Sequence, residues 1–248
     1  MTETSRKPSN NLAHAIEQAI QSGPIIQSHV CTFCGKQFAR ESTLFVHICE
    51  PKRRHGQRDA VGVRIAYTAY ADFYMETERN PKTYSDFCAS QFYNAFVRFG
   101  DYCVAVGTID SGAYSRWLIK HRKRIDKWCT DRFYDEWLTE HLREESLAIA
   151  IERSVIRAQD WASEIDTAPS EYFRECASNV ICSDILKGAT SPWFLYAAPS
   201  GIEWLENINT DQFKLIAKLV DPQHWEDRIN RHRSDYVDMR TILSNGGF

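Results

Sequence analysis

Cys31 and Cys34 are separated by two residues, His47 follows after twelve more, and Cys49 stands two positions beyond it. Two cysteines at that spacing form a knuckle from which both sulfurs reach one ion. An imidazole arriving on a helix that folds back over a hairpin supplies a third donor. Zn2+ takes such sulfur and nitrogen ligands tetrahedrally, and a unit this small has too little core to fold without it. Phe38 and Leu44 occupy the two apolar positions a ββα unit needs between metal and helix. Cys49 is the expected fourth ligand and His55 the alternative. Residues i and i+2 of a regular helix point ~200° apart. Cys49 can therefore ligate only if the helix unwinds at His47–Ile48, and Pro51 just beyond suits an early stop.

The stretch from Cys31 to His47, with its Cys-Gly-Lys-x-Phe core at Cys34–Phe38, resembles the C2H2 zinc-finger family over about 20 residues. It departs where the family places a second histidine three to five residues after the first; Cys49 is the metal-competent residue in that neighbourhood. The resemblance implies base-reading positions at Arg40, Ser42, Thr43 and Val46. Arg40 suits bidentate contact with guanine, Thr43 a weaker contact, and Val46 a thymine methyl. A lone finger buries little surface, so sequence-specific binding needs tandem fingers or a basic extension. Lys52, Arg53, Arg54 and Arg58 supply one, able to neutralise phosphates without reading sequence. The whole layout resembles zinc-finger proteins of tailed-phage genomes, with Cys49-Glu50-Pro51-Lys52-Arg53-Arg54 continuing the finger; that likeness implies no particular activity.

Charge is partitioned along the chain. Residues 1–58 carry eight Lys/Arg against four Asp/Glu, a net of +4, while 59–248 carry 22 against 29, a net of −7; together they give the −3 of the whole. Bulk charge therefore drives no nucleic-acid binding, and a local patch must. A second patch is expected on a helix over 111–128, where Arg116, Lys120, Lys123 and Lys127 fall on one stripe opposite Tyr114, Trp117, His121, Ile125 and Trp128. His121 reads there as a core or boundary residue. Arg228, Arg231, His232 and Arg233 form a third cluster, interrupted by Asp227 and Asp235.

The elements that must carry these residues follow from periodicity and punctuation. Residues 1–28 read as a disordered lead-in with a short amphipathic helix at 11–21, 29–50 as the zinc finger, 51–58 as a basic linker, and 59–248 as an all-α domain. Helices are expected at 59–79, 84–106 with a break near 90, 111–128, 131–142, 145–165, 170–187, 192–198, 201–207, 210–219, 222–230 and 234–244. Thr83 to Asp86, Asp110-Ser111 and Thr190-Ser191-Pro192 supply N-caps and an N1 proline. The fold class is thus mainly α, with a small N-terminal ββα finger.

At 43% hydrophobic and 25% charged, the composition is that of a globular chain, neither a disordered tail nor a rod. The first thirty residues hold no apolar signal core, and no run approaches the ~18 apolar residues of a membrane span. The expected compartment is a reducing cytosol or nucleoplasm, host cytoplasm if phage-encoded. Cys88, Cys103, Cys129, Cys176 and Cys182 read as buried thiols serving as small hydrophobes. The carboxylates around His141 (Asp135, Glu136, Glu140, Glu144, Glu145) lack di-iron spacing and read as a solvated acidic face. Residues 181–198 allow a helix-turn-helix, but Trp193 to Tyr196 make its second helix core and the pair a helical hairpin. P-loop, dinucleotide, Gly-x-Ser-x-Gly and HExxH patterns are lacking. The leading expectation is a non-enzymatic nucleic-acid-binding accessory protein, DNA foremost, for replication, transcription or genome processing. A protein–protein adaptor with a structural finger, and a nucleic-acid-modifying enzyme with its site in the body, are the alternatives.

Overall fold

A computed structural model describes residues 29–248; the lead-in expected at 1–28 lies outside the described residues. The chain divides into two units, residues 1–57 and 58–248. No helix among the described residues is long and apolar enough to cross a membrane.

In the first unit, β1 (His29–Val30) pairs antiparallel with β2 (Gln37–Phe38), with His29 opposite Phe38. Helices α1 (Glu41–Val46) and α2 (Glu50–Gly56) follow. The stretch read as a linker is therefore largely helical: Glu50 and Pro51 open the helix, where an N–H donor is not needed. Cys31 is the one buried residue among those described in this unit, too little apolar burial to hold it together.

The second unit is all α. Its helices are α3 (Val61–Glu78), α4 (Tyr84–Ala89), α5 (Tyr93–Val106), α6 (Ser111–Lys120), α7 (Asp131–Glu144) and α8 (Leu147–Ile165). They continue as α9 (Tyr172–Glu175), α10 (Ser178–Leu186), α11 (Pro192–Ala197), α12 (Pro199–Asn207), α13 (Thr210–Ile216), α14 (Pro222–Arg231) and α15 (Arg233–Asn245). The expected caps are present. Thr83 and Asp86 form a reciprocal capping box, Asp110 accepts from the Ala113 amide at 2.8 Å, and Ser191 caps α11 ahead of Pro192. The break expected near 90 separates α4 from α5.

The core is aromatic. Trp128 is fully buried and meets Phe96 and Phe99 at 5.7 and 5.1 Å between centroids, and Tyr114 meets Trp137 at 5.0 Å. Further along, Trp193, Phe194 and Leu195 are buried, as expected of core residues. Helices α3 and α5 cross closely, because a Cβ at Gly100 would overlap the Gly62 carbonyl.

Candidate metal centre

The knuckle is built by backbone geometry. Gly35 adopts φ +70, a conformation that costs a residue with a Cβ ~1–2 kcal/mol. Its amide donates to the Cys31 carbonyl at 2.8 Å, and the Cys31 amide to the Lys36 carbonyl at 2.9 Å. Burial opposes ionisation of Cys31. The Phe33 and Cys34 amides directed at its sulfur outweigh this and hold its pKa below the ordinary thiol value.

Helix α1 stops at Val46, and His47 takes an extended conformation (φ −67, ψ 121), as does Cys49 (φ −112, ψ 161). This is the unwinding that an i, i+2 ligand pair demands. The turn is fastened by the His47 amide donating to the Leu44 carbonyl at 3.1 Å and by Lys52 Nζ donating to the His47 carbonyl at 3.1 Å. Phe38 packs on the His47 ring at 4.7 Å and orients it.

The result is one cluster. The ligand atoms of Cys31, Cys34, His47 and Cys49 all lie within 4.8 Å of one another. Cys31 Sγ is 3.9 Å from Cys49 Sγ, and Cys34 Sγ is 3.3 Å from His47 Nε2. These are two opposite edges of a tetrahedron, and three thiols with one imidazole can hold a single metal ion there. His55 instead sets its ring edge-on to Phe33 at 5.1 Å.

The other residues singled out are distributed as follows. Arg40, Ser42, Thr43 and Val46 are exposed, and α1 contains no buried residue. Arg53 donates twice to Glu50, at 2.9 and 2.7 Å, and Arg54 once, at 3.0 Å. Held by Arg53 and then Arg54, the Glu50 carboxyl titrates at about 2 and stays ionised. Arg58 belongs to the second unit, over the Tyr84 ring at 5.3 Å.

The single-helix stripe over 111–128 is corrected: α6 ends at Lys120, Arg122 turns to φ +52, and Lys127 lies in a short 3-10 turn, Ile125–Lys127. Arg116 pairs with Asp72 at 3.4 Å. Lys123 pairs with Glu136 at 3.5 Å and sits over Phe133 at 4.2 Å. His121 is exposed at the helix end, with Nδ1 2.8 Å from the Trp117 carbonyl.

Two further expectations fail. Cys129 is exposed, unlike Cys88, Cys103, Cys176 and Cys182. Glu145 does not belong to a solvated acidic face: its side chain is 2% exposed and receives Arg153 at 2.7 and 2.9 Å and the Ser191 hydroxyl at 2.7 Å.

Compared with known proteins, the chain matches no family model, no curated protein and no solved structure. The likeness to C2H2 fingers and to the phage layout therefore rests on the residues quoted for it.

Proposed function

We propose that the protein is a zinc-stabilised nucleic-acid-binding accessory protein. Zn2+ is held by Cys31, Cys34, His47 and Cys49. A tetrahedral site with Zn–S ~2.3 Å and Zn–N ~2.0–2.1 Å has S···S edges of ~3.8 Å and S···N edges of ~3.6 Å. The 3.9 and 3.3 Å separations in the cluster support that ion. Four protein ligands leave no open coordination position, the pattern of a structural site.

The observation that carries the nucleic-acid reading is the outward face of α1. Arg40, Thr43 and Val46 recur at every third residue with Ser42 between them, all exposed, and Arg40 has no acidic partner among the described residues. Helix α2 adds Lys52, Arg53 and Arg54 against the single carboxylate of Glu50. The finger positions would meet base edges and α2 the phosphates, while the helical body recruits a protein partner or a second stretch of backbone.

The test is a mobility shift with single- and double-stranded DNA and RNA at two salt concentrations, with and without chelator. Binding should fall with chelator and with salt. Reversing charge at Lys52, Arg53 and Arg54 should weaken it and flatten the log–log salt slope by about 0.9 for each phosphate no longer neutralised. Retained affinity and an unchanged slope would sink the assignment.

A second reading is favoured by the exposed apolar residues of the finger. Phe45, Val46 and Ile48 are 84%, 71% and 78% exposed, in keeping with a protein-docking module. That adaptor predicts no salt-sensitive binding to any nucleic acid.

A further inference from the structure

Six buried side-chain nitrogen and oxygen atoms lack a hydrogen-bond partner among the described residues, and the four nitrogens gather in one place. They are Arg143 Nε, His224 Nε2, Arg228 Nε and Trp193 Nε1. Arg143 leaves the end of α7, while His224 and Arg228 lie one turn apart on α14. Trp193, at the start of α11, lies beneath the Arg228 guanidinium at 5.3 Å. Trp225 joins them, 5.2 Å from Trp193 and 5.4 Å from His224. Arg143 reaches Asp221, the N-cap of α14, at 4.0 Å, and burial, then the charges of Arg143 and Arg228, hold the His224 pKa below the ordinary histidine value.

The cluster is rich in donors and poor in acceptors. Arg143 donates to the Lys218 carbonyl at 3.5 Å and Arg228 to the Glu145 carbonyl at 2.7 Å, which employs one nitrogen of each. Among the described residues, the carboxylate paired with these cations is Asp221, 4.0 Å from Arg143, the outer limit of an ion pair. The Glu145 carboxylate is hydrogen-bonded by Arg153 and Ser191, and its charge, with that of Glu144, acts on Arg228 without a direct bond to it. Arg231, one turn beyond Arg228, adds a further cation. A water molecule does not complement such a set, because it offers two lone pairs and brings two hydrogens that need acceptors of their own. An anion with several oxygens and no hydrogens does, and arginine forks match phosphate geometry. Arg143 keeps 37% of its side chain exposed and is the edge of the cluster that solvent reaches, while the four unpartnered nitrogens are buried behind it.

We propose that Arg143, His224 and Arg228 form a binding site for a phosphate group in the helical body. Donors arriving from two helices suit a tetrahedral oxyanion better than a planar carboxylate. The site stands whether or not the finger contacts nucleic acid. The phosphate is free, carried by a nucleotide, or part of a nucleic-acid backbone, and the assay separates these sources.

The full metal-loaded chain is titrated with inorganic phosphate, with adenosine monophosphate and with a short single strand, each against chloride at matched ionic strength. Binding is followed by calorimetry and by the Trp193 indole N–H resonance, which should move downfield as it gains an acceptor. R143Q and R228Q should each weaken phosphate about tenfold, and H224Q should weaken it less. R174Q, on an exposed arginine paired with Glu171 at 3.1 Å, should leave it unchanged. If R228Q does not fold, R143Q and H224Q decide the matter. The tightest of the three probes identifies the source, provided R143Q weakens it too. Phosphate acting no differently from chloride, or binding R143Q and H224Q as it binds the parent chain, would overturn the proposal.

Discussion

Removing Cys49 tests the metal centre most directly, because Cys49 and His55 compete for the fourth position on the sequence alone and the folded geometry separates them. Cys49 Sγ stands 3.9 Å from Cys31 Sγ and completes one edge of the cluster. Loss of an outer-shell partner already costs a metal site 10–100-fold in affinity, so C49A should cost more than about 100-fold and H55A less than about threefold. Protons supply an independent count. At pH 7 a thiol of pKa ~8.5 is almost wholly protonated and must ionise to bind. One ion entering the parent chain should therefore release close to three protons, and one entering C49A close to two. Folding should follow the metal. The described part of the first unit buries only Cys31, so the ~10–16 kcal/mol typical of structural zinc is the term that holds the finger. Chelation should then expose the Cys31 and Gly35 amides to exchange while the helical body keeps its protection. The assay is competition against a chromophoric chelator in weakly buffered solution, with a pH indicator and hydrogen exchange read in parallel. Parent-like affinity and a three-proton count in C49A, or a large loss in H55A, would refute the ligand assignment.

Three further outcomes concern the body. R153M leaves the Glu145 carboxylate buried without its cation and should cost about 3–5 kcal/mol in urea denaturation, with E145Q/R153M losing less than R153M alone; a loss below about 1 kcal/mol would contradict the role given to the pair. G100A drives a methyl group into the Gly62 carbonyl and should cost at least ~1–3 kcal/mol. G107A, at φ +68 in open space, should cost only its backbone strain of ~1–2 kcal/mol. Burial, opposed by Glu145 and Asp110, holds the His141 pKa below its ordinary value. As pH falls below ~6.5 the unfolded chain takes up that proton first, so this contribution to stability is intact above that pH and declines below it. Melting curves of H141Q should accordingly fall less steeply than the parent's between pH 7 and 5, and parallel curves would count against the argument.

Where local chemistry decides a boundary, the sequence is legible. The Thr83–Asp86 box, the Asp110 cap and Ser191-Pro192 satisfy their helix ends with residues a few positions away, so reading them needs no knowledge of the tertiary fold. The end of α6 is different. Helical spacing runs unbroken through Lys127, and no glycine or proline marks the stop. The chain turns at Arg122, where the Lys123 amide reaches back to the Leu118 carbonyl at 2.9 Å. Trp128 gains from that turn: its indole N–H donates to the Lys123 carbonyl at 2.9 Å, and its own carbonyl accepts from Tyr114 at 3.1 Å. Burying a tryptophan outweighs the ~1–2 kcal/mol strain of a non-glycine residue at positive φ. Periodicity does not contain that term, and so it joins Arg116 and Lys120 to Lys123 and Lys127 on a stripe the fold does not form.

Distance along the chain likewise separates the site that could be read from those that could not. The metal ligands fall within nineteen residues, and their spacing is itself the geometry of the knuckle and turn. Glu145, by contrast, ends a run of six acidic and histidine residues whose composition reads as a solvated face. It lies one residue past α7, at φ −59 and ψ 150, where helical direction no longer governs the side chain. Its carboxylate turns inward to Arg153 and to Ser191, 46 positions away, while its carbonyl accepts from Arg228, 83 positions away. One helix-terminal residue thereby fixes α8, α11 and α14 against one another. The Glu145 carboxylate accepts from Arg153 and Ser191, while Arg228 donates to the Glu145 carbonyl. Glu145 thus serves Arg153 with its charge and Arg228 with its backbone, which ties α14 to the buried ion pair through a neutral acceptor.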